Sequence, residues 1–549
     1  MERILNFLWP KKIRKKENIE LKELPDKEIS EDEISLGLQE IMNKLRSDLW
    51  KTQTIENVDG IKYIDPFESA FDYRCKRDLD RTVKLWSEEP DFKDNATSSR
   101  KRKSGNLIIC PFIALDCHNE SLRYAENGSY NLSLAYANRA ACFFEMDLYD
   151  QALQNIRLAK GCGHFPQHLL PKLLQLEQNA RTASGKEIEN ESLEIWAPRE
   201  RMPVLSYIAS KNHPCMADVV KIKLSEQYGR YMVSKYKIPA EKTILIEEEY
   251  LTTINIDKLR ACSTCFAEDQ NFIPCEHCTE AMFCNETCQN RNQIHEWECN
   301  TFITKIDFQI KIIIHSILLA CEAFTTNGKT NVTELIGCIE GMLKSLNKFP
   351  KSTVDSKSKY QFFFKLASNV PAIGYNGVLI QLEALEQIYV IFSLLMKIPR
   401  IHAAFDSVEK RNFLKHLITH HCLVIDTNAF GDDRSQSLGL VESLFNHSCA
   451  PNIHHEQIGN EQYFYTAEKV KKGVQLFISY IDLNDSTKQR RRILKRGWGF
   501  ICNCIICAPK ELSLNDKCQL AIMTILHNRF DTEENTPEQT PEEPPQELL

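Results

Sequence analysis

Eight residues of metal-binding type crowd between Cys262 and Cys299, and they constrain this chain more than any other stretch. In order they are Cys262, Cys265, Cys275, Cys278, Cys284, Cys288, His295 and Cys299, spaced C-x2-C, C-x2-C, C-x3-C and H-x3-C. Tetrahedral zinc takes four thiolate or imidazole ligands, and a gap of two or three residues lets one short turn supply two of them. Eight ligands therefore make two closed, structural sites. The short spacing favours an interleaved pair, with Cys262, Cys265, Cys284 and Cys288 on one ion and Cys275, Cys278, His295 and Cys299 on the other. A disulfide cluster is the alternative reading. Met1 to Pro10 is apolar but short and has no small-residue cleavage site, so no secretory signal is expected. CxxC pairs in such a chain favour metal. His277, between two ligands, reads as a bystander.

With 549 residues there is room for roughly two to four domains. Hydrophobic content of 43% and charge of 26% are ordinary for a globular protein. A formal charge of -7 over this length argues against specific DNA binding. The most apolar run, Ile310 to Phe324, is broken by Lys311, His315 and Glu322 and reads as a buried helix, so no membrane association is expected. Eleven of the 21 cysteines fall into metal-like clusters, and the others show no pairing pattern. That usage fits a reducing compartment, hence a cytoplasmic and nuclear location.

The chain divides by pattern. Residues 1–98 are charged and irregular, partly disordered in expectation, with one amphipathic helix from Glu31 to Trp50. The basic runs Lys11–Lys16 and Arg100–Lys103 read as solvated surface. Residues 99–184 turn helical. Ala135 through Ala141, with Tyr149, Ala152, Leu153 and Ala159, resembles a tetratricopeptide repeat, in which small residues let paired helices approach closely. One repeat cannot bury its own apolar face, so two or three stacked units are expected. A β-rich domain is expected over 196–482, interrupted by the finger at 262–299 and a helical insert at 300–421. Strands are expected at Tyr228–Val233, Thr243–Tyr250, Cys422–Ile425, Gln462–Thr466 and Val474–Tyr480. Residues 483–510 carry Cys502, Cys504 and Cys507, and the Glu- and Pro-rich end of 511–549 reads as disordered. The fold class is thus a multi-domain α+β protein.

Two stretches carry the chemistry. One is Asn446-His447-Ser448-Cys449-Ala450-Pro451-Asn452; the other is Gly473 to Tyr480, followed by Arg490-Arg491-Arg492 and the cysteine triplet. Three clustered cysteines ask for a fourth zinc ligand, and Cys449 is the natural candidate. With these residues in view, the chain resembles the SET and MYND domain-containing (SMYD) lysine methyltransferases, in the subclass with tetratricopeptide repeats ahead of the SET domain. The eight-ligand run resembles the MYND finger, and the order of split SET domain, finger, helical insert, NHSC-x-PN loop and post-SET cysteines is the family's.

The resemblance implies a protein-lysine N-methyltransferase acting on histone or other proteins, with S-adenosylmethionine as methyl donor and three structural zinc ions. Gly229, Arg230, Asn428, Asn446, His447, Tyr480 and Phe500 are the implied cofactor contacts. Tyr480 is the implied catalytic residue, orienting the amine or the sulfonium methyl. Only a neutral amine can accept the methyl, so a dry channel must act against lysine's ordinary pKa of about 10.4. Strands flanking the finger are expected to join one sheet, gathering Gly229, His447 and Tyr480 around one pocket. Partner proteins are expected on the finger and the repeats. Two positions differ from the family pattern: Tyr231 stands where most members have glycine, and Trp498 stands where a second channel tyrosine does. The alternative reading is a non-catalytic adaptor that recruits partners through finger and repeats.

Overall fold

A computed structural model describes residues 76–88, 91–185, 203–225, 229–254, 261–267, 271–344, 349–368, 387–431 and 435–508. The expected helix Glu31–Trp50 and the acidic tail lie outside the described residues. The chain divides into two compact units. One runs to Asn446 and includes Ile453–Leu476; the other joins His447–Asn452 to the chain from Phe477 onward.

After a helix at Lys76–Trp86 the first unit continues with stacked helices: α1 (Asn95–Gly105), α2 (Pro111–Tyr124), α3 (Tyr130–Glu145), α4 (Tyr149–Gly161) and α5 (Leu170–Ser184). Their starts follow capping chemistry. Asp94 accepts the N–H groups of Ala96 and Thr97 at 3.0 and 2.8 Å, Pro111 opens α2, and Ser129 caps α3. Ala135, Ala140, Ala152 and Ala159 are fully buried, which brings neighbouring helices close. Arg139 is also fully buried. Its guanidinium donates to Asn155 Oδ1 and Asn119 Oδ1, both at 2.8 Å, so one cation ties α3 to α4 and α2. A buried charge survives only with such partners.

The β region follows: β1 (Val220–Ser225), β2 (Gly229–Ser234), β3 (Thr243–Glu248) and β4 (Leu251–Ile254). The finger adds a short hairpin, β5 (Ile273–Pro274) with β6 (Met282–Phe283), and α6 (Glu286–Arg291). Helix α7 (Phe308–Ala323) buries Ile310, Ile312, Ile313, Ile314, Ile317 and Leu318 almost completely and packs on α8 (Val408–Asn428). No helix among the described residues is long and apolar enough to cross a membrane. Strands β7 (Phe430–Gly431), β8 (Ser435–Leu438), β9 (Ile453–Ile458) and β10 (Glu461–Thr466) complete the unit.

Pairing crosses the finger and the insert. β3 pairs antiparallel with β10, and β4 pairs antiparallel with β8, about 190 residues away in sequence. The expected single sheet is instead three small ones: β1–β2, β4–β8–β7 and β9–β10–β3. Cys422–Ile425, expected as a strand, lies in α8. A short apolar run with β-branched residues is ambiguous, and here an established helix simply continues through it. Of Val474–Tyr480, only Phe477–Ile478 is a strand, while Leu476 donates to the Met232 carbonyl at 2.9 Å.

Three glutamates are buried where these sheets meet. The Glu247 carboxyl accepts the N–H groups of Leu440, Val441 and Glu442 at 3.1, 2.9 and 2.8 Å and pins that turn, and burial outweighs these bonds and pushes it up to about 7. Glu249 accepts from the Ser437 hydroxyl at 2.8 Å, and Glu442 accepts from the Gly439 N–H at 2.8 Å. Burial, with the Glu247 charge alongside, pushes Glu249 up to about 8 and Glu442 well above the carboxylate range. A carboxyl whose folded pKa is raised holds its proton longer in the folded state, so stability falls as pH climbs from about 4.5 towards 8. Glu249→Gln should therefore flatten the pH dependence of the melting temperature between about pH 5 and 8. It should stabilise the protein at the alkaline end by on the order of 2 kcal/mol. An unchanged slope in differential scanning fluorimetry would refute the raised Glu249 pKa.

The second unit is small. The Ser448 N–H donates to the Ile478 carbonyl at 2.9 Å, and the Phe477 N–H donates to Asn452 Oδ1 at 2.8 Å. Helix α9 (Thr487–Trp498) is capped by Ser486 and stops at Gly499, whose φ of 77° suits a residue without Cβ.

Candidate functional site

Three groups of four ligand atoms form, each with its atoms within 4.8 Å of one another. They are Cys262, Cys265, Cys284 and Cys288; Cys275, Cys278, His295 and Cys299; and Cys449, Cys502, Cys504 and Cys507. Zn–S bonds of about 2.3 Å in a tetrahedron give edges of about 3.8 Å. Cys265–Cys284 at 3.5 Å, Cys275–Cys299 at 3.8 Å, and Cys449 to Cys502 and Cys507 at 3.9 and 3.6 Å match that edge. His295 presents Nε2 to Cys275 and Cys278 at 3.2 and 3.8 Å. The donor sets and their sizes fit zinc, and four protein ligands apiece make these closed, structural sites.

The finger is not an isolated module. Phe272, Met282 and Phe283 share one hydrophobic core with Leu122, Ala125, Leu132, Ala135 and Tyr136 from α2 and α3. Polar bonds reinforce it: Asn155 donates to Asn271 at 2.8 Å, Asn271 donates to Gln154, and the Thr279 hydroxyl donates to the Asp91 carbonyl at 2.8 Å. Arg123 donates to the Thr279 carbonyl and lies 3.5 Å from Glu280. The Arg139–Asn155–Asn271 chain thus runs from α3 and α4 into the finger. Sequence reasoning missed it, although an arginine set among alanines in an apolar helix was a visible signal.

In the first unit, Gly229 begins β2 at φ 60°, with nothing within 4 Å of where a Cβ would sit. That open backbone suits a ligand laid against the chain. The Arg230 guanidinium lies 4.3 Å over the Phe349 ring, and burial brings it down to about 10. Tyr231 sits in β2 opposite Lys223. Asn428, expected after a strand, is the buried last residue of α8. Its amide donates to the carbonyls of Ala367 and Val424 at 2.6 and 2.7 Å, so its donors already serve the chain's own backbone. Asn446 is half-buried, in the residue pair Asn446–His447 that forms a short strand.

In the second unit, His447 joins the tyrosine to the cysteine group. Its Nδ1 accepts the Tyr480 backbone N–H at 3.1 Å, and its Nε2 lies 3.3 Å from Cys449 Sγ. An acceptor Nδ1 carries no proton, so the proton is on Nε2 and points at the sulfur. Burial holds this ring neutral, with its pKa brought down to about 4. Both ring nitrogens are therefore committed within the protein. The Tyr480 ring centre lies 5.4 Å from that of His447 and 5.1 Å from that of Trp498, while Phe500 is 6.1 Å from His447. Burial pushes the Tyr480 phenol above its ordinary range. Gly499 turns the chain between Trp498 and Phe500.

Arginines of α9 hold the cysteines from behind. Arg490 donates to Cys507 Sγ at 3.8 Å, and Arg491 donates to the carbonyls of Cys502 and Cys507 at 2.9 and 2.8 Å. Such outer contacts orient metal ligands and raise their affinity.

The sequence profile of the SET domain matches residues 11–481. The chain belongs to the SET domain family. This SET domain protein has SET and MYND relatives. It is 27% identical over 275 residues to the protein-lysine N-methyltransferase SMYD4 of Danio rerio, covering 46% of this chain and 36% of the relative. A SET and MYND domain-containing protein of Dictyostelium discoideum is 26% identical over 319 residues, 52% of this chain and 58% of its own. The histone-lysine N-methyltransferase ASHR1 of Arabidopsis thaliana is 23% identical over 291 residues, 51% and 53%. The SET domain chain thus spans between about a third and three fifths of the length of these relatives. A solved SET domain of LSMT, bound to lysine and AdoHcy, covers 52% of this chain at 13% identity with a TM-score of 0.29, too slight a likeness to transfer anything.

Proposed function

We propose that this SET domain protein is an S-adenosylmethionine-dependent protein-lysine N-methyltransferase. The observation that carries the proposal is the His447 bridge, which fixes the Tyr480 backbone to a loop stapled by four cysteines. When bound, S-adenosylmethionine supplies a methyl group on a sulfonium cation, so the protein needs alignment and dryness rather than a nucleophile of its own. The residues at hand fit that task. In the second unit Phe500 offers an aromatic face and is assigned to the cofactor, while Gly229 of the first unit, with its bare backbone, is assigned to it on the sequence resemblance. Tyr480, set between His447 and Trp498, is assigned to orient the substrate amine. Its phenol keeps its proton and so can donate to, or accept from, a neighbouring group. Asn446 and His447 are assigned to the cofactor through their backbone, because the His447 ring is already engaged.

The helices α1 to α5 are read as tetratricopeptide-like repeats that recruit partner proteins. The hairpin face of the finger is covered by α2 and α3, so recruitment by the finger falls to its other faces. A cytoplasmic and nuclear location is the reading that the cysteine usage of the sequence favours.

Two measurements test the reading. Calorimetry should show saturable binding of S-adenosylmethionine, and transfer of labelled methyl to protein lysine should follow. Tyr480→Phe should cut transfer at least about a hundredfold while cofactor affinity changes little. No binding heat at millimolar cofactor would hand the molecule to the adaptor reading.

A further inference from the structure

Two segments of the first unit run side by side, one leaving β2 and the other leaving β10. Ile238 and Val470 exchange backbone hydrogen bonds in both directions at 2.9 Å, and the Gly473 N–H donates to the Ser234 carbonyl at 3.0 Å. The Ser234 hydroxyl donates to the Lys471 carbonyl at 2.7 Å and ties the second segment down. Ile238 and Val470 are buried, and successive side chains of an extended segment point to opposite sides. Burying that pair therefore drives Lys237, Lys469 and Lys471 into solvent together, and all three are exposed, as is Lys472 beside them. Tyr236 stands at the bend where β2 enters this ladder, and it is 60% exposed.

These lysines are crowded and unneutralised. The Lys237 ammonium lies within hydrogen-bonding reach of Lys469 and holds it below the ordinary lysine value. Like charges kept together on a fixed ladder are relieved by an anion shared between them. Lys235 is already bonded to Asp218 at 2.7 Å, but among the described residues no acidic side chain pairs with Lys237, Lys469, Lys471 or Lys472. Residues 235–242 and 466–474 hold six lysines and two acids, Glu241 and Glu468, a local surplus of positive charge in a chain of net charge -7. The accessible Tyr236 ring adds a flat apolar face at the edge of that field. Phosphates answer the lysines and a base answers the ring, and a nucleic acid carries both. In a duplex the base faces already stack on one another, so a free ring favours an unpaired strand.

We propose that Tyr236, Lys237, Lys469, Lys471 and Lys472 form a docking surface for single-stranded nucleic acid. The lysines hold the phosphate backbone and the tyrosine stacks on one base. Contacts of this kind read no sequence, and they are sensitive to salt because each lysine–phosphate contact releases a counterion. The surface acts whether or not the chain transfers methyl groups.

Fluorescence anisotropy of the full-length chain with labelled oligouridylate and oligothymidylate of about 12 nucleotides tests this. Four lysine–phosphate contacts should give log K a slope of about -2.8 against log salt, so affinity should drop about fiftyfold between about 50 and 200 mM. Lys469→Gln with Lys471→Gln should bring the slope to about -1.4. Tyr236→Ala should weaken binding about five- to a hundredfold while leaving the slope unchanged, because stacking releases no counterion. Lys172→Gln, at an exposed lysine of α5, should alter neither quantity. Tighter binding of the RNA strand or of the DNA strand would support the proposal and name the source. No binding of either at about 50 mM salt would overturn it. A duplex bound as tightly as the single strands would overturn it too, since the ring would then stack on nothing. Binding of phosphatidylserine vesicles through these lysines, with no oligonucleotide bound, would assign the surface to an anionic membrane instead.

Discussion

Stripping zinc from this protein will unfold the helices α2 to α4 along with its finger. Phe272, Met282 and Phe283 of the finger complete a core whose other half is Leu122, Leu132, Ala135 and Tyr136 of α2 and α3. A finger of this size has too little apolar surface to fold without its ions. Structural zinc contributes apparent folding free energies of about 10–16 kcal/mol, comparable to the whole stability of an ordinary domain at about 5–15 kcal/mol. Once the ligands are released, α2 and α3 expose an apolar face, and Arg139 keeps Asn119 but loses the Asn155–Asn271 link beyond it. Elemental analysis should give close to three zinc per chain. After chelation, hydrogen exchange in α2 to α4 should accelerate by orders of magnitude. Helices that keep their protection while the finger loses its own would show that the two fold independently.

The ligand groups were legible in the sequence because metal spacing is a local code: two- and three-residue gaps determine which cysteines one turn can present together. The return of the chain across the finger was legible too, since β3 and β4 find β10 and β8 long after the insert. What could not be read was where continuity outweighs composition. Cys422–Ile425 looks like a strand in isolation but extends α8, because the packing of α7 against α8 favours one continuous helix. For the same reason Asn428, expected to follow a strand, ends α8 instead, and its amide holds the carbonyls of Ala367 and Val424. The buried links Arg139–Asn155–Asn271 and Glu247 to the turn at Leu440 escaped entirely. The links Asn155–Asn271 and Glu247–Leu440 join residues over a hundred apart in sequence, and no periodicity announces them.

His447→Ala is expected to damage methyl transfer and the third zinc site together, which separates it from every substitution of Tyr480. The ring makes two bonds that no alanine can replace: it accepts the Tyr480 N–H and gives its Nε2 proton to Cys449 Sγ. Losing the first frees the tyrosine backbone and leaves a half-buried N–H without its acceptor, at a cost of about 1–3 kcal/mol. Losing the second removes an outer-shell donor from a ligand sulfur, a change that typically lowers metal affinity or activity by about ten- to hundredfold. Zinc should leave the variant at chelator concentrations that spare the parent, taking the count from three to two, and transfer should fall by the same order. Tyr480→Phe, by contrast, keeps the backbone N–H and the cysteine group, so it should lose transfer and retain all three ions. If His447→Ala held its third zinc as tightly as the parent and methylated at the parent's rate, the histidine would be a packing residue, and the coupling of tyrosine to metal would be refuted.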